Sequence, residues 1–190
     1  MFSRLLLLAV ASAFLPAGAL AQPARSEAAI LTAVARTITT YERFTIFDDV
    51  TVEVADGAVV LRGKVTMPFK RDDIGRRVEA VAAGYTVSNR IDVLPVSIHD
   101  DALRKRVARA IYGNSAFWRQ AAMANPPIHI IVERGQVTLT GVVPTDVDRA
   151  LARALASGLG ELSLRCALRT DAEVEADAVA RAHRASVKDD

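Results

Sequence analysis

The stretch GQVTLTGVV, Gly135 to Val143, restates an earlier one, GAVVLRGKV, Gly57 to Val65. Both read G-x-V-x-L-x-G-x-V, and they lie 78 residues apart. Apolar residues at every second position are the mark of a half-buried β-strand. Gly57 and Gly135 sit where a hairpin turn needs positive φ. Gly63 and Gly141 mark the far end of the strand. These four glycines are read as structural, not as a phosphate-binding loop.

The match extends in both directions, as a true repeat should. At the same offset Val50, Val52 and Val54 fall on Ile128, Ile130 and Val132, a preceding strand. Upstream the offset becomes 73: Ile30, Val34 and Ile38 fall on Leu103, Val107 and Ile111, and Phe44 falls on Phe117. The i, i+4, i+8 spacing is one face of an amphipathic helix. The second copy therefore carries five extra residues, within WRQAAMANPP. Downstream an offset of 75 places Val87, Ile91 and Val93 on Leu162, Cys166 and Leu168. Two further helices are expected before these strands, over Asp72–Ala83 and Asp146–Ser157, with acids at their starts to suit the helix dipole. Each copy thus reads helix–strand–strand–helix–strand. The expected class is α+β: two tandem αββαβ two-layer units, each a small three-stranded sheet covered by two helices. The units span residues 27–95 and 98–170, followed by an acidic, Ala-rich tail at 171–190. At roughly 65–70 residues, each is near the lower limit for folding alone, so the two are expected to pack together.

This element order, the repeated glycine phrase and GYTVSNRI (Gly84 to Ile91) resemble the BON domain, the bacterial osmotic-stress and nodulation-associated domain. A tandem pair behind a leader is similar to osmotically induced periplasmic proteins of Gram-negative bacteria. The resemblance implies phospholipid binding or envelope attachment without catalysis. The second copy departs from the pattern: GLGELSL stands where the first has GYTVSNRI, so the Asn is missing.

Residues 1–21 supply the leader. Arg4 precedes an apolar run from Leu5 to Leu15, and Ala19 and Ala21 form an A-x-A site. That is a secretory signal cleaved after Ala21. The run is shorter than the about 20 residues that span hydrocarbon. A periplasmic location is therefore expected. Cys166, alone in an exported chain, has no internal disulfide partner. By the offset-75 alignment it takes the place of Ile91, so it is expected to be a buried thiol.

No catalytic constellation emerges. His99, His129 and His183 have no metal-ligand spacing to one another or to Cys166, and no G-x-S-x-G, P-loop or G-x-G-x-x-G occurs. His129 alternates with Ile128 and Ile130, which puts it on the outer face of its strand. No cofactor or metal is expected.

Charge distinguishes the copies. Residues 27–95 hold nine Lys/Arg against ten Asp/Glu, net −1, and residues 98–170 hold ten against six, net +4. The excess includes Lys105, Arg106 and Arg109, on the polar side of the helix DDALRKRVARAIY, with Trp118 following at the insertion. Clustered cations beside an interfacial aromatic suit an anionic phospholipid surface. These four residues are the candidate lipid-binding set. The function expected is a non-catalytic envelope protein that binds anionic membrane and supports envelope integrity under stress. A chaperone-like or structural module that binds other envelope proteins is the alternative. The export signal and balanced total charge argue against nucleic acid.

Overall fold

The structure is a computed structural model that describes residues 26–55 and 57–188. The expected leader lies outside the described residues. The first unit runs α1 (Glu27–Thr39), β1 (Asp49–Ala55), β2 (Ala58–Val65), α2 (Pro68–Val81) and β3 (Thr86–Val93). The second runs α3 (Ile98–Tyr112), a short 3₁₀ turn at Ser115–Phe117, α4 (Trp118–Ala121), β4 (Ile128–Glu133), β5 (Gln136–Val143), α5 (Asp146–Ala156), β6 (Ser163–Cys166) and β7 (Arg169–Thr170). A last helix, α6, covers Asp171–Lys188. The chain is α+β, in two tandem units.

In each unit a hairpin pairs the first two strands antiparallel, and the second helix then crosses over to a third strand parallel to the second. The helices cover one face of each sheet. Ile30, Val34 and Ile38 of α1 join Ile74 and Val78 of α2 over Val59, Leu61, Val65 and Ile91. Leu103, Val107 and Ile111 of α3 join Ala152 and Ala156 of α5 over Ile130, Val137, Leu139 and Leu168. The glycine phrase has a steric cause. Gly63 and Gly141 have φ of 129° and 111°, and a Cβ on them would lie 2.0 Å from the Asp49 carbonyl oxygen and 1.9 Å from that of Pro127. Only glycine lets the partner strand approach so closely.

Three expectations are corrected. First, α2 begins at Pro68, not Asp72. Proline suits the first helical position because its missing N–H would have no helical partner there. Asp72 and Asp73 then lie a turn inside, where Asp73 accepts the Tyr41 hydroxyl at 2.7 Å.

Second, the last strand aligns at an offset of 77, not 75. Val59 pairs with Val87 and Val137 with Leu164, so Leu164 is the counterpart of Val87, and Leu162 is exposed. The counterpart of Ile91 is Leu168; the two are 4% and 3% exposed. Cys166 takes the place of Asn89 and is half-buried, not enclosed. Asn89 reaches from β3 to donate to the Arg71 carbonyl at 2.9 Å. It passes so close to Gly75 that a Cβ there would meet its Nδ2 at 2.6 Å. Cys166 has no such reach, and it lines an open groove with Arg149 and Arg153 of α5.

Third, the second sheet has four strands, because its last strand breaks into β6 and β7, both parallel to β5.

The two units are joined by more than the linker. Residues 44–49 of the first unit lie across the second sheet. Ile130 N–H donates to the Ile46 carbonyl at 2.6 Å, and Lys64 forms an ion pair with Glu133. Ile46 and Phe47 pack on the second core. Five of the six β4 residues are buried, whereas none of β1 is, because the first unit covers this edge and the adjoining open face. His129 lies on that open face as expected, but it is only 9% exposed there, with its ring 5.5 Å from that of Phe44.

Candidate functional site

The basic helix α3 starts where its sequence directs. The Ser97 hydroxyl accepts Asp100 N–H at 3.2 Å, and Asp100 and Asp101 occupy the first turn. The four cations of LRKRVAR then divide into three roles. Arg104 is buried, forms an ion pair with Asp101, and donates to the Val132 carbonyl. Arg106 is exposed but turned toward the loop after α5, where its Nε donates to the Leu159 carbonyl at 3.0 Å. Lys105 and Arg109, one turn apart on the outward face, are exposed and form no ion pair among the described residues.

The five-residue insertion forms the neighbouring wall. Phe117 is fully buried and anchors it in the second core, as its match to Phe44 implies. Tyr112 clamps its exit: the hydroxyl donates to the Ile128 carbonyl at 2.7 Å and accepts Ile128 N–H at 3.0 Å. Burial pushes the Tyr112 hydroxyl up to about 12, and its bond to Ile128 opposes this. Between these anchors the short α4 presents Trp118, 65% exposed, and the chain continues to Met123, 54% exposed. Ala108, Arg109 and Tyr112 of α3 face Ala121 and Pro126 of the insertion across an apolar groove of about 380 Å³, floored by Ile46 of the first unit. The fold therefore brings Arg109 and the Trp118 helix to one groove, leaves Lys105 on the adjoining turn, and holds Arg106 to one side.

Two polar centres escaped the sequence reading. Asp48 is fully buried. Its Oδ2 accepts Thr45 N–H, the Thr45 hydroxyl and Lys70 Nζ at 2.9, 2.7 and 2.6 Å. Its Oδ1 accepts Thr66 N–H and the Thr66 hydroxyl at 2.8 and 2.9 Å. In sequence it reads as one of a pair of boundary acids. Asp100, also buried, accepts Arg134 and Gly135 N–H at 2.8 Å each. It thereby holds the β4–β5 turn, where Arg134 adopts a φ of 51°. The only available clue was that Asp100 starts a helix one turn before a conspicuous Arg.

The tail meets the basic unit, though not at α3. Glu173 takes two bonds from Arg149, at 2.8 and 3.0 Å, and Asp177 pairs with Arg169. A backbone bond from Thr170 and the Arg149 guanidinium hold the Glu173 carboxyl below its usual range. No group of His, Cys, Asp and Glu among the described residues could hold a metal ion, and none of the described helices is long and apolar enough to cross a membrane.

A family model described as "BON domain" matches residues 26–95 and again 99–161. No curated protein matches the chain. Among solved structures, the chain is similar to CdsD, a structural protein of the Type III secretion system of Chlamydia trachomatis. The TM-score is 0.27 at 13% identity, over 77% of this chain and 66% of that one. The C-terminal domain of CdsD gives a TM-score of 0.26 at 14% identity, over 63% and 57%. The chain thus covers less than two thirds of either.

Proposed function

This chain belongs to the BON domain family, and we propose that it is a non-catalytic, exported envelope module that binds anionic phospholipid surfaces through its second unit. One observation carries the reading. Lys105 and Arg109 stand without ion-pair partners on the exposed side of α3, and Arg109 lines an apolar groove whose other wall is formed by Ala121 and Pro126 of the insertion, the same segment that exposes Trp118 and Met123. Cations next to exposed apolar groups suit the membrane interface, where headgroup charge lies above acyl carbon. The corresponding helix α1 offers Ala, Thr, Glu27 and one Arg on its exposed side, with no net positive charge, so the first unit is read as the scaffold. Its segment 44–49 supplies the groove floor.

Each cation held near an anionic surface contributes about 1 kcal/mol. Neutralising Lys105 and Arg109 together should weaken binding by about 2 kcal/mol, roughly 30-fold. Arg106, held to the loop, should matter less. The test is flotation with anionic and with zwitterionic vesicles at low and high salt, with Trp118, the one tryptophan, as fluorescence reporter. Expected are co-flotation with anionic vesicles only, a blue shift of Trp118, and loss of both in Lys105→Glu/Arg109→Glu and at high salt. Failure to float with anionic vesicles at low salt would remove the reading and favour an envelope protein as partner.

A further inference from the structure

A second, unrelated feature lies between the units. The open face of the second sheet carries Ile131, Thr138 and Arg165 side by side across β4, β5 and β6, with Thr140 next along β5. Asp49 and Lys64, a cross-strand pair of the first unit, face this row across a cleft of about 260 Å³. The cleft is far more polar than the groove beside α3.

Its polar groups are unevenly satisfied. Lys64 is committed to Glu133. Asp49 and Arg165, on opposite walls, have no ion-pair partner among the described residues. The Thr140 hydroxyl oxygen is buried and meets no protein partner. Across the β4–β5 pair from it stands His129, 9% exposed, whose Nδ1 is also buried without a protein partner. Buried polar atoms are almost always hydrogen-bonded, and of these two residues only Thr140 lines the cleft, so its hydroxyl is the unmet polar group there. One free cation and one free anion face each other over two hydroxyls. They select a ligand that carries both signs on a short frame: a carboxylate for the Arg165 fork, and an ammonium for Asp49.

We infer that this inter-unit cleft binds a small zwitterion of the amino acid class, its carboxylate on Arg165 and its ammonium on Asp49, bridging the two units. The site is distinct from the α3 surface and stands whether or not that surface meets lipid. A site with one exposed ion pair at each end should bind weakly, with a Kd on the order of 30 mM. The experiment is amide NMR on the full chain, titrated with glycine and L-alanine to about 100 mM, with acetate and methylamine as single-charge controls at matched ionic strength. Saturable shifts confined to residues around Thr138, Thr140, Ile131 and Asp49, given by the amino acids and not by either control, are expected. About fivefold weaker binding in Arg165→Gln and in Asp49→Asn is expected, with no change in Lys105→Gln/Arg109→Gln. Both single variants alter exposed or half-exposed side chains and should remain folded, which their own spectra report. Absence of saturable shifts in the wild-type chain, or equal shifts from acetate alone, would overturn the inference.

Discussion

Replacing Asp48 with Ala should uncouple the two units. The side chain accepts five hydrogen bonds and has no exposed surface, and its partner Lys70 has a side chain only 7% exposed. The substitution leaves the Lys70 ammonium in the protein interior with only the Thr66 hydroxyl to meet it. Breaking one side of a buried pair costs about 3–5 kcal/mol, most of it the unpaired charge. Lys70→Met removes the other side but leaves the carboxylate four donors, so it should cost less, about 1–2 kcal/mol. In the double variant the stranded ammonium is gone, so the two losses should not add. The double variant should be more stable than Asp48→Ala by at least about 1 kcal/mol. The second consequence is structural. Asp48 orders the segment that places Ile46 under Ile130 N–H and on the second core. Its loss should therefore split one urea transition into two, the first unit unfolding earlier. Urea unfolding followed by circular dichroism, with amide NMR to assign each transition, measures both effects. A loss below about 1 kcal/mol for Asp48→Ala, or strict additivity in the double variant, would refute the account of Asp48 as the node that joins the segment to the first unit.

Gly141→Ala should cost at least about 3 kcal/mol, because the new Cβ meets a strand carbonyl at 1.9 Å and φ is 111°, whereas Gly57→Ala, with φ of 73° and open space, should cost only about 1 kcal/mol; thermal melts of the two variants rank them. Cys166 should react in the native state with an anionic aromatic disulfide reagent, drawn by Arg149 and Arg153 at the same groove, and the rate should fall in Arg149→Gln/Arg153→Gln; a native thiol that labels only after denaturation would restore the enclosed position.

The distinction between what the sequence revealed and what it hid follows from the range of each signal. The hairpins and helix faces were legible because their periods are local. A glycine at a positive φ against a neighbouring carbonyl, or an apolar residue every fourth position, leaves a mark within one element. The acids Asp72 and Asp73 point to a helix start there, but Pro68, one turn earlier, opens α2. Asp48 was invisible because its partners, Thr66 and Lys70, come from the end of β2 and the first turn of α2. The two free cations of α3 could not be separated from Arg104 and Arg106 either. Helical angle alone gave one basic side, and only the positions of Val132 and Leu159 divide it.

The register of the last strand shows the limit most sharply. A period-2 pattern is unchanged by a shift of two residues, so offsets of 75 and 77 place apolar residues on the same face. Nothing in the alternation of Leu162, Leu164, Cys166 and Leu168 chooses between them. The choice is made by the length of the preceding helix and loop: α5 ends at Ala156, three residues short of the counterpart of Val81, and a six-residue loop carries the chain to Ser163. The two registers differ in chemistry: an offset of 75 gives Cys166 the enclosed position of Ile91, whereas the observed 77 gives it the half-exposed position of Asn89. The same shortening removes one turn of cover from β6 and leaves Cys166 at the edge of an open groove. The two copies therefore diverge by length as much as by residue type. The insertion before β4 builds the apolar groove beside Arg109, and the deletion at the end of α5 opens the groove beside Cys166. The shared strands and glycines hold both in place.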